Sequence, residues 1–220
     1  DALQLPPGKG IELREDMEQL IEELHTAIPA LFESEDYQTR KQELREEFQE
    51  KQEQALEKVQ EKAKERDIAL IRTPVGLAFA PIQEGEVVSP DEFQELSEEK
   101  REQVKEDIAE LQEELQETMR QARQWERNVR ERMKELDREV AMLAVGHRIE
   151  ELQEKYGGID AVVAYLEKVN DDIIENVDDF RRSSDQEQGD LLGISMERVR
   201  EATFRRYKVN VLVDHSESEG

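Results

Sequence analysis

The 220-residue sequence contains no cysteine. That excludes a disulfide framework, a thiol nucleophile and a thiolate metal site. It also fits a reducing compartment, so the cytoplasm is the expected location. Aromatic residues make up only 5% of the chain and hydrophobic residues 36%, which leaves little for a globular core. No run approaches the ~18 apolar residues of a membrane span, and the first residues lack a signal-peptide pattern. The phosphate-loop spacing Gly-x4-Gly-Lys-Ser/Thr is absent.

Charge is what the chain has in excess. Charged residues make up 40%, and the formal net charge is −25. A surface this acidic repels phosphate backbones and anionic membranes, so neither nucleic acid nor a membrane is an expected partner. Glu, Gln, Arg, Lys and Leu dominate, as in long helices and coiled coils. Disorder competes at this composition, but the apolar residues fall at regular helical spacing.

The chain is organised around Asp67 to Pro90, DIALIRTPVGLAFAPIQEGEVVSP. Twelve of these 24 residues are Ala, Val, Ile, Leu or Phe, against six in the preceding 29. Turn signals at Thr73-Pro74-Val75-Gly76 and Glu84-Gly85 divide it into a small β-ribbon. Charged helices flank it on both sides. Residues 35–66 carry a narrow stripe of Tyr37, Leu44, Phe48, Ala55, Leu56, Val59 and Ala63. After Ser89-Pro90-Asp91-Glu92, a capped helix start, and a second cap at Ser97, one long helix runs to Gly157-Gly158. In it Ile108, Leu115, Ala122 and Val129 form one heptad series, and Met133, Val140 and His147 another, offset by four.

An amphipathic helix is expected at 11–28, broken at Pro29. Another is expected from Ile159 to about Arg182, then a polar loop (RRSSDQEQGDLLG), a short helix over 196–204, and a strand over Tyr207 to Val213. The expected fold is mainly α: a long antiparallel, coiled-coil-like helical hairpin with a small β-ribbon tip, on a small helical base with a truncated α/β portion. Residues 1–34 form a base segment. Residues 35–132 form a protruding hairpin with a non-helical tip at 67–90, about 48 Å from the base by helical rise. Residues 133–220 complete the base. The abrupt start and end read as a piece of a larger protein.

Each site-like feature has a plainer explanation beside it. Pro6-Pro7-Gly8-Lys9-Gly10 before a helix invites an anion site, but Ile11 and Glu12 stand where a hydroxyl should follow the lysine, so a turn and helix start is the better account. His25, His147 and His215 are isolated, with no base, orienting acid or oxyanion loop. Among 56 acidic residues any carboxylate spacing arises by chance, so Asp171-Asp172 and Asp178-Asp179 read as a solvated face. Arg181-Arg182 and Arg205-Arg206 read as surface residues, and Trp125 as the widest part of the helical seam. No catalytic residue, cofactor or metal is expected. The ribbon differs, because it is too small to bury both its faces. It either fills the fork of the hairpin or binds exposed apolar segments. Leu70, Ile71, Val75, Leu77, Phe79 and Ile82 are the expected contacts.

Several segments, in order, resemble one family: LPPGKG, IPALFESEDYQTRKQELREEF, IALIRTPVGLAFAPIQEGEVVSPDEFQEL, EVAMLAVGHRIEELQEKY, DIIENVDDF and RYKVNVLVDHS. Together they resemble the helical insertion of Lon-like proteases of the LonC type and relatives. The resemblance implies an insertion with part of an AAA-like α/β subdomain. The parent would be a hexameric ring with a Ser–Lys protease domain that lies outside this sequence. It implies a non-catalytic element that binds unfolded polypeptides in a chaperone-like way and guards the degradation chamber. The competing expectation is a structural coiled-coil module for subunit or partner assembly.

Overall fold

The computed structural model describes residues 2–74, 76–185 and 204–212. The fold is mainly helical with one three-stranded antiparallel sheet. In order the elements are α1 (Lys9–Glu33), α2 (Glu35–Glu65), β1 (Ile68–Thr73), β2 (Gly76–Gln83), β3 (Glu86–Val87), α3 (Pro90–Glu95), α4 (Glu98–Lys155), α5 (Asp160–Glu175), α6 (Val177–Asp185) and a 3-10 turn (Arg205–Tyr207). They group into two compact units, residues 1–41 with 133–220, and residues 42–132.

The first unit contains the larger core. Leu13, Met17, Leu20, Leu24 and Ile28 of α1 recur at helical spacing, and all are buried. They are matched by Leu136, Val140, Val145 and Ile149 of α4 and by Val162, Leu166 and Ile173 of α5, also buried. Phe180 of α6 is fully buried against Phe204, with ring centroids 4.6 Å apart. His25 meets the same Phe204 edge-on at 5.6 Å, so this histidine is a packed residue.

Three tyrosines pin this unit in the same way. The hydroxyls of Tyr37, Tyr156 and Tyr207 donate to Asp137, Asp16 and Asp172, each at 2.6 Å. Each acceptor also faces a cation: Arg181 at 3.7 Å, Lys155 at 2.7 Å and Arg206 at 3.1 Å. Burial first, and then the neighbouring carboxylate, pushes the Tyr37 hydroxyl up to about 12. Tyr156 and Tyr207 are raised for the same reasons. A tyrosine raised above its unfolded value of ~10 keeps in the native state a proton that the unfolded state releases. This stability is therefore intact below pH ~10 and is lost as pH climbs through the native values. Tyr37 alone removes on the order of 2 kcal/mol by pH 12. Thermal melts should be flat from pH 7 to 9 and fall steeply above 10, with the folded tyrosines titrating late at 295 nm.

Four local expectations differ from the structure. Helix α1 continues through Pro29 to Glu33. The proline removes one hydrogen bond, but the stripe resumes beyond it with Phe32, buried against Tyr37 at 4.8 Å and beneath the Arg181 guanidinium at 4.4 Å. Packing outweighs the local penalty. The helix expected from Ile159 to Arg182 is interrupted at Asn176, whose side-chain amide donates to the Asp172 carbonyl and ends α5. Helix α6 then extends to Asp185, into the expected polar loop. The expected strand is absent over 207–212: Tyr207 closes a 3-10 turn, and Lys208 to Leu212 pair with no strand among the described residues. A lone strand leaves its backbone donors and acceptors without a ladder. Val213, His215 and residues 196–203 of the short helix expected over 196–204 lie outside the described residues.

In the second unit, α2 and the residue that follows it, Arg66, meet α4 through residues in reverse order. Glu47 pairs with Arg132 at 2.6 Å, Lys62 with Glu114, and Arg66 with Glu110 at 2.7 Å. Such exposed pairs contribute ~0–1 kcal/mol each, so apolar contact carries the seam. Val59 and Ala63 of α2 and Leu111 and Ala122 of α4 are buried along it. Trp125 is half-buried in a polar groove of about 400 Å³ between the two helices, beside Val59, Lys58 and Glu114.

Candidate recognition surface

The sheet is built by its turns. Asp67, at φ 56°, turns the chain out of α2 into β1. Aspartate tolerates this left-handed conformation better than most residues. Between β2 and β3, Glu84 and Gly85 both have positive φ, 53° and 90°. That is the geometry of a tight two-residue hairpin turn, which glycine permits. Beyond β3, Ser89 caps α3: its hydroxyl accepts from the Glu92 amide, and the Glu92 carboxylate accepts from the Ser89 amide at 2.9 Å.

The register then sorts the side chains. β1 and β2 pair antiparallel with Ile68 opposite Pro81, Leu70 opposite Phe79, and Arg72 opposite Leu77. Directly opposed residues share a face, and neighbours alternate. One face therefore holds Ile68, Leu70, Leu77, Phe79, Pro81 and Arg72. The other holds Ala69, Ile71, Thr73, Gly76, Ala78, Ala80 and Ile82, and β3 extends it with Val87, opposite Ile82.

The first face is the docked one. Ile68 is buried with Ala63 and Leu111, and Phe79 and Ile108 pack against that cluster. Leu77, further along β2, lies beside Leu115, Met119 and Arg123 of α4. These residues are 17 to 25 positions past the first residue of α4, or about 25–40 Å along its axis. Ile68, Leu77 and Phe79 therefore lie alongside α4.

The second face is apolar except at Thr73, whose hydroxyl donates to the Gly76 carbonyl at the turn. Ala69, Ile71, Ala78, Ala80 and Ile82 are half-buried, and Val87 is 48% exposed. The six residues expected from sequence to act together are thus divided. Leu70, Leu77 and Phe79 share the docked face, Ile71 and Ile82 the opposite one, and Val75 lies outside the described residues. Val87 was not among those six. Its signal was in the sequence: it follows the Glu84-Gly85 turn by two residues, which places it across from Ile82.

The other sequence features fall into structural roles. Gly8, at φ 76°, starts α1, and Lys9 is held by Glu12 at 2.6 Å. His147 is exposed and pairs with Glu151 at 3.3 Å. Arg206 reaches Asp179 at 2.9 Å. Among the described residues no group of three His, Asp or Glu side chains is placed to hold a metal ion, and no helix is long and apolar enough to cross a membrane. No protein-family model matches the chain, and no curated protein matches it.

Proposed function

We propose that this chain is a non-catalytic recognition element that binds unfolded polypeptides, as the helical insertion of a Lon-like protease. One observation carries the reading: apart from Thr73 beside the β1–β2 turn, the second face of the sheet is apolar, and it ends at exposed Val87. Unfolded chains expose apolar segments, and an apolar sheet face surrounded by acidic helices offers them a partner while like charge keeps the copies apart. In this reading α2 and α4 of the second unit form an antiparallel, coiled-coil-like hairpin that carries the sheet. The parent is a cytoplasmic hexameric protease, and six weak sites around the chamber mouth act by avidity.

The test separates the two faces. Ile71→Ser with Val87→Ser removes apolar area from the second face and should weaken suppression of a denatured client's aggregation about tenfold or more. The far-UV spectrum should be unchanged. Val87→Asp, at a half-exposed position, serves as a milder second variant. Unimpaired suppression in both variants refutes the proposal. An oligomer of the wild-type chain that these same substitutions dissociate identifies the face as an assembly contact, the structural-module alternative.

A further inference from the structure

A groove lies between β2 and α4 of the second unit. It encloses about 600 Å³ and is lined by Leu77, Leu115, Gln116, Met119, Arg120 and Arg123. That volume lies in the range of small-ligand and side-chain pockets. Leu77, Leu115 and Met119 make an apolar floor, and Met119 remains 39% exposed. In a chain with 56 acidic residues, no carboxylate lines this groove among the described residues.

The charged side chains that line it are two arginines, Arg120 and Arg123. From Thr118 to Arg130, TMRQARQWERNVR, four arginines stand against one glutamate. Arg120 is tied to Glu117 at 2.5 Å, one turn back. Among the described residues Arg123 makes no ion pair, and neither does Arg72, which stands directly across the ribbon from Leu77 on the same face. Guanidinium groups beside an apolar floor match a ligand with an apolar body and carboxylates at its edge, since arginine binds carboxylate through paired, charge-assisted hydrogen bonds.

We infer that this groove takes a polypeptide segment in which an apolar side chain is flanked by Asp or Glu. The apolar side chain sits on Leu77, Leu115 and Met119, and the flanking carboxylates meet Arg123 and Arg120. The inference rests on the reading of this unit as a polypeptide-binding element and adds a sequence preference to it. The preference runs against the field of the whole chain. At a net charge of −25, long-range electrostatics repels acidic peptides. Tighter binding of an acidic peptide therefore has to arise from local contacts such as these.

The experiment uses the full chain and three fluorescein-labelled peptides with one Leu-Phe centre, flanked by Glu, Gln or Lys. Fluorescence anisotropy should give about tenfold tighter binding for the Glu-flanked peptide than for the Gln-flanked one, the gain of one good charge-assisted hydrogen bond. In Arg120→Gln with Arg123→Gln, both exposed positions, that ratio should fall to within about twofold while the circular dichroism spectrum stays the same. Equal binding of the Glu and Gln peptides overturns the inference. So does tighter binding of the Lys peptide, a preference that survives the double substitution, or no binding of any of the three. Where aggregation of denatured clients is still suppressed, only this inference falls. Where suppression is absent as well, the underlying recognition reading falls with it.

Discussion

Replacing Leu111 by alanine should destabilise the second unit by about 2–5 kcal/mol, the cost of truncating a fully buried leucine when its surroundings collapse only partly. Leu111 is 1% exposed and forms one cluster with Ala63 of α2 and Ile68 of β1. The cluster is small, so few neighbours can close over the cavity. It is also where the sheet is seated on the helices, with Phe79 and Ile108 packed around it. The loss should therefore be local as well as global. Amide exchange over Ile68 to Gln83 should accelerate well beyond that of α4, because strand pairing in so small a sheet depends on a helix to cover it. Denaturant unfolding and hydrogen exchange measure the two effects. A loss under ~1 kcal/mol with unchanged strand protection would show that the sheet is held by its own ladder.

Phe180→Ala should cost about 3–5 kcal/mol in the first unit. Phe180 is fully buried, 4.6 Å from the Phe204 ring and 6.2 Å from the Tyr207 ring. His25 closes the other side of Phe204. Removing the Phe180 ring leaves the Phe204 and Tyr207 rings facing a void, and unmatched aromatic contacts are lost with the buried area. Guanidinium melts should show the fall in midpoint. The tyrosine titration described above should also move, because Tyr207 loses part of its cover and its hydroxyl should ionise at lower pH than in the parent chain. An unchanged midpoint would show that 204–207 does not contribute to the core.

The two substitutions act on features of different legibility. The helices were readable because periodicity is a local property. Leu13, Met17, Leu20 and Leu24 mark one face of α1, and Ile108, Leu115, Ala122 and Val129 mark one face of α4, whatever they pack against. Caps were readable for the same reason: Ser89-Pro90-Asp91-Glu92 holds both halves of its own reciprocal bond. The β-ribbon was readable from Thr73-Pro74-Val75-Gly76 and Glu84-Gly85. A local rule fails where packing or a missing partner overrides it. Pro29 stays helical because Phe32 has a buried place to occupy. Lys208 to Leu212 has strand composition but no ladder partner among the described residues.

The recognition surface divides along the same line. By itself the sequence determined that an apolar, turn-rich ribbon sits between acidic helices, since composition and turn chemistry need no partner. Only the tertiary structure decided which way the ribbon faces. Strand register places Phe79 and Leu77 on the docked side and Ile71, Ile82 and Val87 on the other, and a shift of one residue would exchange the two sets. Asp67 turns the chain so that the strands lie beside α4. That contact joins Leu77 to Met119 and Arg123, more than forty residues apart in sequence. A groove made from two elements has no local signature, because its chemistry exists only once the elements meet.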